Sequence, residues 1–340
     1  MEPPLFPRQS GQFVAERSQD VFVEDEGIQK VAEMLYALRN SDELTANGWK
    51  KANPLAPAAT SDQAFNWVFV VDTLNFSFWP EKDTQQCEVT YKGTTYTGYM
   101  TLCAAIARAM DEGVPITDPK FFSQMSVEEL AHVLRSDNAT PMPMLRERHQ
   151  VLTEGGRVLL ERGGSFCSFI SPAGADARKM VELIVDKIPS YRDEATYEGK
   201  RIAFYKRAQI LVADFWGIMA ARGEADISNM DWLTMFADYR IPQALVYFGA
   251  LRYSDALLGV LHNGELLPSG DRREVEIRAC SIWAVERIRT RLSELLQERD
   301  GRSSAGINSA IIDFYLWPYA KQHHEEMAHI PIHHTRSVYY

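Results

Sequence analysis

Cysteine is scarce in this sequence, and its thiols are not spaced like metal ligands. The 340 residues hold only four cysteines, Cys87, Cys103, Cys167 and Cys280. Structural zinc sites take ligands in close pairs, about two to four residues apart, so the spacing excludes such a site. We interpret the four as reduced, mostly buried thiols of an intracellular protein. We therefore expect a cytoplasmic location, with the nucleus as an additional one.

Long apolar runs and a secretory leader are also missing. No apolar run is long enough to cross a bilayer, so we expect no membrane partner. Residues 1–4 lack the basic and apolar regions of a secretory signal. The glycine patterns of P-loop and Rossmann proteins are absent as well, which excludes two common phosphate-binding loops.

Positive charge is in short supply. The sequence has 36 lysines and arginines against 46 aspartates and glutamates, a formal net charge of −10. Because phosphate contacts dominate binding to long nucleic acids, this balance argues against a stable nucleic-acid partner. A single nucleotide in a local basic pocket remains compatible with it. With 46% hydrophobic and 24% charged residues, the composition is typical of a globular protein with a sizeable core.

Helical periodicity runs through most of the chain. The apolar spacing predicts helices at 28–38, 102–110, 142–160, 175–188, 201–221, 229–237, 242–261, 274–298 and 306–321. The alternating pattern over 88–99 predicts one short β-hairpin. The predicted fold is mainly α (α+β), a compact multi-helix globule with one small antiparallel hairpin. We expect an irregular leader over 1–20 and a single domain over 21–340, with two lobes as the alternative.

Residues 236–243 are the most informative stretch, because they hold an acid, two aromatics, an arginine and a proline among apolar helical sequence. Pro242 suits the start of a new helix, where its missing N–H is not needed. We therefore expect Asp238 to lie at a corner between two helices. At such a corner the carboxylate either faces a pocket, or caps a helix or pairs with Arg240.

Three aspartates stand among aromatic residues: Asp72, Asp238 and Asp313. One alone is equally consistent with a helix cap or an arginine partner. Because a buried carboxylate must be hydrogen-bonded or paired, three of them indicate a pocket that stacks a flat ring and reads its donors. A purine-like ring with adjacent N–H and NH₂ groups offers two donors that one carboxylate accepts. Asp313 and Trp317, four residues apart, share a helix face.

Two segments carry the positive charge that a phosphate needs. Lys206 and Arg207 lie within a predicted helix, where a solvated face is the alternative interpretation. The segment 333–340 combines imidazoles, aromatics and an arginine, and it is either a phosphate-binding element or a frayed end. Adjacent histidines, at 323–324 and 333–334, point apart on regular structure, so we predict no metal site.

Five segments together resemble the queuosine-salvage family, and they are spread in order along nearly the full length. They are 71–76 (VDTLNF), 205–209 (YKRAQ), 236–243 (FADYRIPQ), 313–317 (DFYLW) and 333–336 (HHTR). The resemblance implies a helical fold similar to helix-hairpin-helix DNA glycosylases. It also implies hydrolysis of the N-glycosidic bond of queuosine 5′-monophosphate, which releases queuine, a 7-deazaguanine base, for reuse in transfer RNA. We expect a monomer that binds this small nucleotide and needs no cofactor.

The implied reaction suggests roles for individual residues. Breaking the bond between C1′ and the base builds positive charge on the ribose, so we predict that Asp238 stabilises it, bonds covalently to it or orients water. Asp313 is predicted to accept hydrogen bonds from the base, and Asp72 or another acid to meet the ammonium group of queuine. Which acid contacts the sugar and which the base stays open. The other base-binding candidates are Phe236, Tyr239, Phe314, Trp317 and Asn75. The phosphate- and sugar-binding candidates are Lys206, His333, His334 and Arg336.

Two other functions are compatible with the same aromatic pocket. A non-catalytic helical protein that binds a modified nucleotide or transfer RNA needs the stacking faces but no carboxylate at C1′. A DNA-glycosylase-like enzyme needs a basic surface for the duplex, and the net charge of −10 weighs against it.

Overall fold

The computed structural model of the chain describes residues 3–45, 49, 53–224, 226–303 and 306–340. Helices dominate these residues, and the strands among them form small two-stranded sheets. The prediction of a mainly α fold with a few strands is therefore confirmed. No helix within these ranges is long and apolar enough to cross a membrane.

The helices are numbered here in chain order. They are α1 (Pro7–Ala15), α2 (Asp25–Ala37), α3 (Gln63–Thr73), α4 (Tyr99–Asp111), α5 (Pro119–Phe122), α6 (Val127–Val133), α7 (Leu145–Glu161), α8 (Phe166–Ile170), α9 (Ala177–Lys187), α10 (Lys206–Ala221), α11 (Ile241–Tyr247), α12 (Asp255–His262), α13 (Arg272–Asp300) and α14 (Ser309–Gln322).

Three antiparallel strand pairs complete the fold of the described residues. They are β1 (Val21–Val23) with β6 (Leu251–Tyr253), β2 (Val89–Tyr91) with β3 (Thr94–Tyr96), and β4 (Glu194–Tyr197) with β5 (Lys200–Ala203). The second pair is the hairpin predicted over 88–99, and its turn residues Lys92 and Gly93 have the positive φ angles of a tight hairpin turn. The other two pairs add strands where the sequence predicted helix at 201–203 and 251–253.

The chain divides into two compact units that interleave along the sequence. Unit 1 comprises the described residues of Met1–Ala52, Asp193–Gln209 and Asn229–Arg336. Unit 2 comprises the described residues of Asn53–Arg192, Ile210–Ser228 and Ser337–Tyr340. The single domain predicted over 21–340 stays a prediction.

The predicted irregular leader over 1–20 contains a helix, α1, over nine of its residues. Residues 1–2 lie outside the described residues, but Pro7 opens α1, where its fixed φ and missing N–H suit a first helical position. α1 packs on α13 through Gly11, at which an added Cβ would meet Ile282 Cγ2 at 2.9 Å. The helix therefore forms because one small, apolar face docks onto the core of unit 1.

The core of unit 1 is built around α13, a helix of 29 residues. Asp271 starts it by accepting the backbone N–H of Arg273, and Gly301 ends it with a left-handed φ of 62°. α1, α2, α11 and α14 all pack against it. Its buried face includes charged residues as well as aliphatic ones, namely Glu274, Glu276, Arg278 and Glu286.

The core of unit 2 contains α3 and α7 in close contact. Gly155 and Gly156 lie inside α7, within the helix predicted over 142–160. An added Cβ would meet Phe69 at 2.9 Å from Gly155, and Phe122 at 2.8 Å from Gly156. The two glycines are there because bulky rings pack directly against the helix backbone.

Candidate active site

The segment that leads to Asp238 is not the helix predicted over 229–237. After a single 3₁₀ turn at Met230–Trp232, residues 233–238 form neither helix nor strand. Gln209 explains this, because its Oε1 accepts the backbone N–H of Thr234 at 2.8 Å and its Nε2 donates to Thr234 Oγ1 at 3.0 Å. The donor that a helix would use is thus taken by a distant side chain. Asp238 therefore follows an irregular segment and precedes one helix.

The Asp238 carboxylate is held through one oxygen. Oδ1 accepts the backbone N–H groups of Arg240 and Ile241 at 2.8 and 2.9 Å, at the start of α11. Within the described residues, Oδ2 accepts no hydrogen bond, and the side chain is half-buried. The cap predicted as one interpretation is therefore present, and Oδ2 takes no part in it.

Asp313 lies against the same segment. α14 starts at Asn308, whose side chain accepts the backbone N–H of Ile311, and it places Asp313 in its second turn. Oδ2 of Asp313 accepts the backbone N–H of Phe236 at 2.9 Å. Burial raises the pKa of Asp313 well above its usual range, and the neighbouring charge of Asp238 raises it further. The two predicted acids are therefore neighbours, and Asp313 is the one that holds a proton more tightly.

The charge of Lys206 acts on the carboxyl groups of both Asp238 and Asp313. Burial raises the pKa of Asp238, and Lys206 and the two backbone donors work in the opposite direction. Lys206 acts likewise on Asp313, and its own side chain is buried. Its backbone N–H is held at the start of α10 by Asp193 Oδ2 at 3.1 Å. The site thus combines two carboxylates with one buried ammonium group.

Two of the aromatic candidates pack against each other. The rings of Phe236 and Phe314 are 6.0 Å apart and tilted by 56°. Phe314 and Trp317 are half-buried on α14, whereas Tyr239 is buried next to Asp238. These rings offer apolar faces beside the carboxylates, as stacking of a base requires.

The segment His333–Arg336 is packed and not frayed. His333 is buried, and burial together with Arg278 and His334 lowers its pKa to about 3, so its imidazole is neutral. The backbone carbonyl of His334 accepts the N–H of Leu267 at 2.9 Å. Thr335 is also buried, while His334 and Arg336 are half-buried. His333 can therefore donate or accept a hydrogen bond, but it brings no charge to a phosphate.

Asp72 and Asn75 belong to unit 2. Asp72 is fully buried in the last turn of α3, and its backbone carbonyl accepts the N–H of Asn75 at 3.3 Å. Burial raises the pKa of Tyr99 well above its usual range, with Cys103, Asp72 and Asp214 as further causes. Sequence reasoning missed Asp214, although it stands in an apolar helical run as Asp72 does. The part of Asp72 and Asn75 in base binding stays a prediction.

Arg278 and Asp193 were also missed. Both are buried, and Arg278 Nε donates to the carbonyl of Ala237, directly before Asp238. The sequence signal for Arg278 is a charged residue at a core-facing position of a helix. That signal is ambiguous, because Glu274 lies four residues earlier and this spacing is also typical of an ion pair on a helix surface. Among the described residues, no group of three or more histidine, cysteine or acidic side chains is arranged to hold a metal.

Comparison with known proteins gives one consistent result. The model of the family "Queuosine salvage protein" matches residues 55–340. A protein of Mus musculus is 51% identical over 341 residues, covering 100% of both chains. A protein of Bos taurus is 50% identical over 99% of both chains, and one of Sphaerobacter thermophilus is 34% identical over 96% of this chain and 95% of its own. All three are named queuosine 5′-phosphate N-glycosylase/hydrolase.

Proposed function

The chain belongs to the queuosine salvage protein family, and we propose that it hydrolyses the N-glycosidic bond of queuosine 5′-phosphate to release queuine. The relatives that carry this enzyme name match the chain over nearly its whole length. The structural observation that carries the proposal is the carboxylate of Asp238. One oxygen is fixed by two backbone N–H groups, and the other is left for a substrate.

Asp238 is the group that stabilises the reacting sugar. As the bond between C1′ and the base nitrogen lengthens, its electron pair leaves with the base and C1′ becomes positively charged. The carboxylate faces this charge from a preorganised position, where electrostatic stabilisation is most effective. Water supplies a hydroxyl to C1′ and a proton to the base, so the products are ribose 5-phosphate and queuine.

The environment of Asp238 suits this role. Burial raises the pKa of its carboxyl. The same removal from water strengthens the attraction between the ionised carboxylate and a cation. Lys206 and the helix start keep the ionised form accessible, since both lower the pKa. Asp238 is therefore a poorly solvated carboxyl whose ionised form is favoured by Lys206 and by the start of α11.

Asp313 and the aromatic rings serve the base. Asp313 Oδ2 is fixed by the Phe236 N–H, and Oδ1 takes no hydrogen bond from the described residues. As a carboxylate it accepts the ring N–H and the exocyclic amino group, while Phe236, Phe314 and Trp317 supply apolar faces. Because burial and Asp238 raise the pKa of Asp313, binding of these donors displaces a proton from Asp313 at any pH below that raised pKa.

The phosphate is bound by residues of the segment His333–Arg336. The half-buried Arg336 supplies charge and a forked set of donors, and the neutral His333 and the half-buried His334 supply directional N–H groups. Lys206 adds positive charge from α10. These are the same four residues that the sequence analysis names as phosphate- and sugar-binding candidates.

The proposal extends to the oligomeric state, the location and the partners of the enzyme. We propose a monomeric enzyme of the cytoplasm that acts on a small nucleotide, with no stable nucleic-acid partner. Its net charge of −10 supports the last point, because long polyanions are repelled by an acidic protein.

The direct test is product analysis. The purified chain is incubated with queuosine 5′-phosphate, and queuine and ribose 5-phosphate are measured by chromatography and mass spectrometry, with guanosine 5′-monophosphate as the control substrate. We expect equimolar queuine and ribose 5-phosphate from the first nucleotide. Binding of the intact nucleotide without either product would instead indicate a nucleotide-binding protein and contradict the proposal.

A further inference from the structure

A buried ion pair joins the segments that carry the candidate active site. Arg278, in α13, donates from Nη1 to Asp193 Oδ1 at 2.9 Å and from Nη2 to Asp193 Oδ2 at 2.6 Å. Both side chains are only 3% exposed. Two parallel bonds between a planar guanidinium and a carboxylate fix orientation as well as distance.

The third edge of the guanidinium reaches the peptide group next to Asp238. Nε of Arg278 donates to the carbonyl oxygen of Ala237 at 2.9 Å. This carbonyl and the N–H of Asp238 belong to one planar peptide group. Arg278 therefore fixes the plane from which the Asp238 side chain projects.

Asp193 fixes the start of α10 in the same way. Its Oδ2 accepts the backbone N–H of Lys206 at 3.1 Å, and its backbone carbonyl accepts the N–H of Phe204 at 2.9 Å. The Phe204 ring packs on the guanidinium, with its centre 4.1 Å from Arg278 Cζ. The positions of Lys206 and of the Asp238 peptide thus depend on one pair of side chains.

We propose that Arg278 and Asp193 are positioning residues, which set the placement of Asp238 relative to Lys206 for glycosidic cleavage. The inference rests on the proposed role of Asp238, and neither residue touches the reacting atoms. A buried ion pair is by itself a poor source of stability, because desolvation offsets its attraction. This pair instead holds the Ala237 carbonyl before Asp238 and the backbone N–H of Lys206 in place.

Two variants test the proposal. Arg278→Lys keeps a positive charge but loses the fork, so a single nitrogen cannot serve both Asp193 oxygens and the Ala237 carbonyl. The double variant with Asp193→Asn and Arg278→Gln removes both charges of the pair together, which limits the uncompensated buried charge to that of Glu274, whose Oε1 lies 3.5 Å from Arg278 Nη1. Turnover of queuosine 5′-phosphate is expressed per queuine-binding site, so that loss of folded protein does not imitate loss of catalysis.

The matched control is Glu276→Gln. Glu276 is buried on the same helix, two residues before Arg278, and it accepts hydrogen bonds from Ser18 and Tyr197. Its contacts do not reach the segment before Asp238. The control is expected to lower the thermal midpoint while kcat per binding site stays at the parental value.

We expect both test variants to lose about 10- to 100-fold in kcat per site, with KM changed far less, because displacement of a reacting group by about 1 Å costs that much. Parental kcat per site in either folded variant overturns the positioning role. Asp238→Asn, measured alongside, distinguishes failure of the positioning role from failure of the proposed role of Asp238. If Asp238→Asn also turns over normally, the proposed role of Asp238 is wrong as well.

Discussion

Asp313 and Phe236 are joined by a hydrogen bond of 2.9 Å from the backbone N–H of Phe236 to Oδ2 of Asp313, across 77 positions of sequence. The bond attaches α14 to the segment that ends at Asp238, and so brings two acids into one site. Two neighbouring carboxyl groups do not titrate independently. Here burial raises the pKa of the more deeply buried Asp313 well above its usual range, whereas Lys206 and two backbone N–H groups favour the ionised form of Asp238. Such a separation allows two aspartates to serve different purposes.

The first prediction concerns Asp313 and the base. Asp313→Asn keeps an oxygen for the Phe236 N–H but replaces the other acceptor with a donor that faces the donors of queuine. Loss of hydrogen bonds to a charged group costs about 1.5–3 kcal/mol, so the Kd for queuine should rise roughly 10- to 100-fold in a calorimetric titration. The exposed Asp231→Asn is the control. Unchanged affinity in Asp313→Asn would make Asp313 a purely structural residue.

The second prediction concerns the pH dependence of queuine binding. The pKa of Asp313 is raised, so below that raised value the free enzyme carries a proton that base binding must displace. Affinity should therefore increase with pH, by up to about tenfold per unit, until Asp313 is ionised in the free enzyme. Asp313→Asn should abolish this dependence. The measurement is queuine affinity at a series of pH values, and equal slopes for parent and variant would refute the proposed coupling.

The sequence identifies Asp238 and Asp313 as candidate acids, but only the structure shows that they are neighbours. Asp238 and Asp313 were singled out as carboxylates among aromatics, and that pattern is local. Their proximity was not predictable, because it depends on the contact with the Phe236 N–H. The helix expected over 229–237 is absent since Gln209 binds the Thr234 N–H, again over a long distance. Periodicity reports which face of a segment is apolar, and it cannot report such competing partners.

The third prediction concerns the phosphate. Removing the segment from His333 onward is a poor test, because Tyr340 is buried and its carbonyl accepts the N–H of Ser77 in unit 2. A point change is cleaner. Arg336→Gln should reduce the preference for queuosine 5′-phosphate over queuosine about 10-fold or more in kcat/KM, because a charge-assisted contact is lost.

The matched control for Arg336→Gln is Arg252→Gln. Arg252 is an exposed arginine of β6 that pairs with Glu24 at 2.8 Å. It should keep the full preference for the phosphorylated substrate. If Arg336→Gln keeps it as well, the phosphate is bound by other cations.

The fourth prediction concerns His333 and stability. Its pKa is lowered to about 3 in the folded chain, against about 6.5 for an ordinary histidine. Between these values the unfolded chain binds a proton that the folded chain rejects, so His333 lowers stability as pH falls below about 6.5. Between pH 7 and pH 5 this one residue should account for roughly 2 kcal/mol of the loss.

Chemical denaturation at pH 7 and pH 5 measures that contribution. His333→Asn should lose less unfolding free energy between the two pH values than the parent does. His262→Asn, a change of an exposed histidine on α12, controls for removing a histidine from the surface. Identical losses in parent and His333→Asn would show that His333 is not held neutral by burial.

The central claim is that the Asp238 carboxylate stabilises the cationic sugar, and Asp238→Asn tests it most directly. Asparagine still accepts the Arg240 and Ile241 N–H groups, so α11 should keep its cap and the variant should bind queuine. Asp271→Asn makes the same change at another helix start and should remain active. Single-turnover cleavage of queuosine 5′-phosphate should fall on the order of 100-fold or more in Asp238→Asn. A folded, queuine-binding Asp238→Asn enzyme that cleaves at the parental rate would contradict the account.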